Sequence, residues 1–230
     1  MAMESLAIII LVLAVLLIAG VPISYAIGIS ALAAIVQMVS LDVSVLTAAQ
    51  RTFVGMSKFS LTAIPFFVLA GNLMNAGKIT EKIFDTAKEL VGWIPGGLGH
   101  ANVVASIIFA GMSGSAVADA GGLGAIEMEA MKKNGYDEDF AGAVTAASSV
   151  IGPIFPPSIP LIIYGSVASV SVDQLFMGGV VPGLLMGVVL IIWNKHVSKK
   201  RGYYNTDASE STTIQEKLGV LWRAIPAILM

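Results

Sequence analysis

The chain has 230 residues, of which only 12% are charged and 56% apolar, with 13 Lys+Arg set against 15 Asp+Glu. A soluble domain carries about 25% charge, so this chain cannot build a solvated shell, and its mean hydropathy of +0.85 agrees. A net charge of −2 with no long basic run argues against nucleic-acid binding, and the lack of cysteine excludes disulfides, thiolate metal sites and thiol nucleophiles.

The charges are also bunched. Uncharged gaps run between Glu4 and Asp42, Lys58 and Lys78, Glu89 and Asp119, Asp139 and Asp173, and Asp173 and Lys195. A helix needs about 20 apolar residues to cross ~30 Å of hydrocarbon, and each gap offers about that or more. The composition therefore specifies an all-α polytopic membrane protein. Leu6–Gly20 could imitate a secretory signal, but Glu4 and no basic residue precede it and more apolar sequence follows, so it reads as a retained span.

In chain order, the first gap would make one helix of roughly 55 Å, too long for one crossing. Gly20-Val21-Pro22 divides it into spans at about 5–19 and 22–39. Residues 40–60 are mixed and read as loop-like, completing a scaffold segment of spans and outer loop at 1–60. A third span, about 61–76, leads into residues 78–91, where Ile79, Ile83, Ala87 and Val91 repeat every four positions among charges. That pattern predicts an amphipathic helix lying in the membrane interface. Trp93 and Pro95-Gly96-Gly97 end it, closing the segment 61–97.

Residues 98–172 form the next part of the chain. Its first portion, 98–133, has two short arms around Met112-Ser113-Gly114-Ser115, too short to cross singly and crowded with small residues. A re-entrant hairpin with its tip at Ser113–Ser115 fits, with one ordinary span as the alternative; irregular backbone at membrane depth requires protein or a water-filled cavity around it. The second portion, 137–168, is interrupted by Gly152-Pro153-Ile154-Phe155-Pro156-Pro157-Ser158-Ile159-Pro160. Four prolines in eight positions cannot stay helical, so a broken helix with an extended midplane segment is predicted. A closing span at 173–195 ends in Trp193, and Lys195, Lys199, Lys200 and Arg201 mark 196–217 as a cytoplasmic linker under the positive-inside rule. Counting crossings backward from there places the N-terminus outside. A further apolar segment starts near Leu218, so the chain reads as part of something longer.

A hairpin tip and a broken helix supply free helix ends at membrane depth. C-terminal ends present carbonyls suited to Na⁺, and N-terminal ends present N–H groups suited to a carboxylate. Ser113 and Ser115 add hydroxyl oxygens around Gly114; Gly152, Phe155 and Pro157 offer carbonyls released from helix bonding; Ser148, Ser149 and Ser158 flank them and are the candidates for meeting a substrate. Any one of these serines could equally bond back to its own helix; the combination carries the expectation. Asp119 is an intramembrane carboxylate with either an ion role or a structural one. His100 reads as interfacial. No HExxH, phosphate loop or Ser/His/Asp set is present, so no enzyme and no organic cofactor is expected.

The segments GVPISYAIGIS, FAGMSGSAVADAGGLG and GPIFPPSIPLIIYG resemble the large membrane subunit of TRAP (tripartite ATP-independent periplasmic) transporters over essentially the whole chain. The resemblance implies the first inverted repeat of an elevator-type transporter in the cytoplasmic membrane of a bacterium or archaeon, with 98–172 as its transport part and 218–230 opening the second repeat. It implies uptake of an organic acid, such as sialic acid or a C4-dicarboxylate, coupled to Na⁺ and fed by a periplasmic substrate-binding protein. A small four-helix membrane subunit is the implied partner within the bilayer. On matching positions, one Na⁺ site would use Ser113, Gly114 and Ser115 with Gly152, Phe155 and Pro157. A stand-alone Na⁺/carboxylate carrier and a non-transporting scaffold subunit are the competing readings.

Overall fold

A computed structural model describes residues 2–203; the expectations for 204–217 and 218–230 lie outside the described residues. Among these the chain is wholly helical, and it divides into two compact units, Met1–Lys58 and Phe59–Met230.

The first unit holds α1 (Ala2–Ile18), α2 (Ile23–Val36) and α3 (Leu41–Met56). α1 ends where Gly20 turns to φ 78°. The Val21 and Gly20 amides donate to Leu16 O (3.0 Å) and Leu17 O (3.1 Å), the paired bonds of a glycine-terminated helix. Pro22 then stands at the start of α2, where its missing donor costs nothing. Residues 40–60, expected as loop-like, are corrected by α3. Its sixteen residues contain no proline, Asp42 sits in the first turn where the helix dipole favours it, and charge alone does not break a helix.

The second unit opens with a 3₁₀ turn (Phe59–Thr62) and α4 (Ala63–Ala76), followed by α5 (Ile79–Val91) and α6 (Gly97–Ser113). After Gly114 and Ser115 the chain returns through α7 (Ala116–Ala118), a π-helical turn (Asp119–Leu123) and α8 (Gly124–Lys133). Then come α9 (Glu138–Ser149), α10 (Ile159–Ala168) and α11 (Val172–Arg201). Among the described residues, 59–76 and 172–201 are the two helical stretches long and apolar enough to cross a bilayer. α11 runs six residues past the expected end of the closing span, so the linker cannot start at 196; an uninterrupted basic last turn, favoured by the helix dipole, carries it to Arg201.

The core lies where α5, α6, α8 and α9 meet: Ile83, Phe84 and Ala87 against Leu98, Ala101, Ala105 and Phe109, closed by Leu123, Met131 and Phe140. The apolar stripe of α5 is thus covered by protein. Outward faces are strongly apolar, with Phe59 90%, Val181 71% and Trp193 63% exposed. Lipid is the solvent that such a surface suits.

One end of this unit is held by polar contacts between distant segments. The Asn194 amide donates to Gly96 O at 3.1 Å, and the Gly96 amide donates to Tyr203 O at 2.9 Å. Arg201 pairs with Asp137 at 2.9 Å, and the Tyr203 hydroxyl donates to the same carboxylate at 2.6 Å. The Tyr203 hydroxyl first, and then the Arg201 guanidinium, hold the Asp137 carboxyl below its ordinary range. This clamp is therefore intact at neutral pH and released only as pH falls through that lowered value.

Candidate functional site

The two irregular elements of the second unit face each other. α6 ends at Ser113, Gly114 takes φ 59°, and Ser115 caps the return arm by accepting from the Ala118 amide at 3.3 Å. Left-handed φ is cheap for glycine alone, which fixes Gly114 as the pivot of the tip. Between α9 and α10, residues 150–158 do not extend as expected. They coil instead, with the Phe155 amide donating to Ile151 O at 2.8 Å. The cause is local: this segment's donors find acceptors within one turn, so the prolines interrupt the helix without straightening the chain.

Tip and break touch directly. The Ile159 amide donates to Gly114 O at 3.2 Å. A Cβ on Gly114 would come within 2.6 Å of Pro157 O, and one on Gly152 within 3.3 Å of the Ser115 carbonyl carbon. Four helix ends therefore converge: the C-terminal ends of α6 and α9, with partial negative charge, and the starts of α7 and α10, with partial positive charge. Such a junction can hold a cation on one side and a carboxylate on the other.

The structure brings Ser113, Gly114 and Ser115 together with Gly152 and Pro157, while Phe155 packs its ring against Gly183 of α11. Ser113 is buried, and its oxygen lies 3.5 Å from the Ser115 amide. Ser158 is buried too; its hydroxyl donates to Pro153 O and accepts from the Leu161 amide, capping α10. Ser148 and Ser149 sit inside the packing. Ser148 donates to Asn102 Oδ1 (2.7 Å) and Thr145 O (3.0 Å), and Ser149 to Thr145 O (2.7 Å). The Asn102 amide completes the set on Thr145 Oγ1 at 2.8 Å. Asn102 and Thr145 are polar residues that sequence reasoning missed. Both lie inside apolar-looking helices, and their partners are some 45 positions away.

Asp119 and Glu127 are 1% and 0% exposed; the Asp119 carboxyl lies against Ser106 and Ser149, while neither carboxylate oxygen of Glu127 has a hydrogen-bond partner. The π-helical turn explains their shared face. Eight residues of regular helix would rotate Glu127 about 80° from Asp119, but a wider π turn takes back most of that, leaving Asp119, Leu123, Glu127 and Met131 all buried. A buried acid without a partner destabilises a fold. We therefore expect Glu127→Met to raise stability by about 1–3 kcal/mol, read as a higher unfolding temperature by tryptophan fluorescence; a lower temperature would mean that Glu127 holds a partner in the membrane.

Comparisons with known proteins place the chain in a family. The family described as tripartite ATP-independent periplasmic transporter, DctM component, matches residues 10–230. The sialic acid TRAP transporter large permease protein SiaM of Vibrio cholerae is 50% identical over 188 residues, 82% of this chain and 44% of that protein. The sialic acid TRAP transporter permease protein SiaT of Haemophilus influenzae is 51% identical over 159 residues, 69% of this chain and 26% of that one. The 2,3-diketo-L-gulonate TRAP transporter large permease protein YiaN of Escherichia coli is 40% identical over 198 residues, 86% and 45% respectively. The chain thus spans less than half the length of these relatives.

Proposed function

Because this chain belongs to the DctM-component family of tripartite ATP-independent periplasmic transporters, multi-pass proteins of the inner membrane, we propose that it forms part of a large membrane subunit that imports an organic acid down a Na⁺ gradient. The observation that carries the reading is the contact of hairpin tip with broken helix, where Gly114 O accepts from the Ile159 amide. That contact sets opposite helix ends a few ångströms apart, as a site for a cation beside an anion requires.

In this reading Ser113, Ser115 and the carbonyls near Gly152, Phe155 and Pro157 ligate one Na⁺. The acid binds on the open side of the tip, next to the starts of α7 and α10. Ser158 shapes that surface by capping α10. Ser148 and Ser149 support the break from beneath, since residues buried within this part of the protein stay buried in the whole. Phe59–Ala76 and the first unit belong to the scaffold, with the N-terminus outside, and the hairpin, the broken helix and α11 move together by an elevator step. A periplasmic binding protein delivers the acid, and a small membrane subunit steadies the scaffold. Sialic acid is the favoured cargo: the relatives named for it are 50% and 51% identical, against 40% for those named for diketogulonate and C4-dicarboxylates.

The test is sialic acid uptake into proteoliposomes holding the whole subunit and its small partner, with and without an inward Na⁺ gradient and the binding protein. Uptake requiring both supports the reading; uptake with Na⁺ alone points to a stand-alone carrier, and none at all to a scaffold. Ser113→Ala with Ser115→Ala removes two hydroxyl ligands, so the Na⁺ concentration for half-maximal uptake is expected to rise about tenfold. An unchanged value in the double variant sinks the site assignment.

A further inference from the structure

We propose that the exposed face of α11 seats one anionic phospholipid, its acyl chains along Val181, Leu185, Val188 and Ile192 and its phosphate between Lys195 and Lys199.

The first observation is a single stripe. These six residues recur at alternating intervals of four and three, the spacing that keeps side chains on one helix face. All six are exposed, the four apolar ones between 53% and 71%. The opposite face is already taken: Gly183 packs on Phe155 of the break, and Ser198 on Gly96 at the hairpin base. From Val181 to Ile192 the stripe rises roughly 16 Å, about the hydrocarbon depth of one leaflet. Lys195 lies roughly 5 Å beyond that edge and Lys199 roughly 10 Å, within snorkelling reach of one phosphate.

The second observation is charge without a partner. Arg201 is committed to Asp137, Lys132 to Glu138 and Lys133 to Glu129. No acid pairs with Lys195 or Lys199 among the described residues; on its inward side Lys195 acts on the buried His100. The helix dipole favours cations only within the last turn, and Lys195 stands six residues before the end of α11. At i, i+4 it also repels Lys199. A phosphate answers both ammoniums at once. A zwitterionic headgroup brings its own cation and answers them less well, so an anionic one is selected. Tryptophans mark the same level. Trp193 precedes Lys195 by two residues, and Gly96, three residues past the exposed Trp93, accepts from the Asn194 amide at 3.1 Å.

The seat adjoins the contacts that join α11 to Gly96 and Asp137. A lipid held there neutralises the cationic end of α11 on its outer side, while the polar contacts hold its inner side to the hairpin base. This inference rests on α11 crossing a bilayer and not on the coupling ion or the cargo, so lipid binding and uptake can fail separately.

The test is native mass spectrometry of the whole subunit with its small partner, loaded with equal amounts of phosphatidylglycerol and phosphatidylcholine bearing the same chains. Phosphatidylglycerol should be retained about tenfold in preference. Lys195→Gln with Lys199→Gln should erase that preference. Lys132→Gln with Lys133→Gln removes the same two charges from paired positions and should keep it. Equal retention of the two lipids by the wild type would overturn the seat, as would a preference that survives in the Lys195/Lys199 variant. Equal losses in the two double variants would show a diffuse attraction and overturn it too. Displacement by glycerol phosphate would mean an anion site without acyl contacts, which sinks the lipid assignment.

Discussion

Gly114→Val should unfold the hairpin tip and end the proposed sodium-driven uptake, with a stability loss of about 2–5 kcal/mol. Two costs combine. Gly114 sits at φ 59°, where an L-residue loses roughly 1–2 kcal/mol and a β-branched one more. Its new Cβ would also lie 2.6 Å from Pro157 O, a backbone atom that cannot swing aside as a side chain can. Relieving such overpacking typically costs about 1–3 kcal/mol. Gly135 separates the terms, since its φ is 80° but no atom lies within 4 Å of where its Cβ would be. Gly135→Ala should lose only the dihedral term. If thermal unfolding in detergent shows Gly114→Ala costing no more than Gly135→Ala, tip and break are not in rigid contact.

Adjacent glycines on α11 should respond with opposite signs. Gly179 is buried against Ile154 O, and a Cβ there collides with that carbonyl; at Gly178 a Cβ meets nothing within 4 Å. Gly179→Ala should therefore push α11 away from the break and cost about 1–3 kcal/mol. Gly178→Ala removes only a helix-weakening residue and should be neutral or stabilising by up to ~1 kcal/mol. Differential scanning of the two variants side by side is the check, and equal melting temperatures would refute the packing.

How much of this was legible in the sequence depended on the range of the forces concerned. The division of the first gap is local chemistry: Gly20 and Pro22 lie two positions apart, and each acts on its own backbone. The same holds for the tip at Ser113–Ser115 and the prolines after Gly152. α3 is not legible from Asp42 and Arg51 read as loop signals, because arginine is a good helix former and an aspartate in the first turn suits the helix dipole. The coiled form of residues 150–158 was missed because proline forbids a helix without specifying what replaces it. The π turn left no readable mark, for Gly121-Gly122 suggests only small size. The partners of Ser148 were beyond reach, since Asn102 lies 46 positions away on a helix whose composition is apolar. Membership of the DctM family, by contrast, was already visible in the motif strings around the tip and the break.

The clamp that joins Gly96 and Asp137 to Arg201 and Tyr203 has a consequence for the time at which this part of the protein is completed. Asp137 leaves the ribosome 66 residues before Tyr203. At 5–20 residues per second that is a delay of about 3–13 seconds. Throughout it the hairpin arms have been made, and from Ala168 onward the broken helix as well, but the Gly96 amide and the Asp137 carboxylate still lack the acceptor and donors that will hold them. The base of the hairpin is consequently the last part of the unit to be fastened, and a nascent chain paused in α11 presents it open to the insertion machinery.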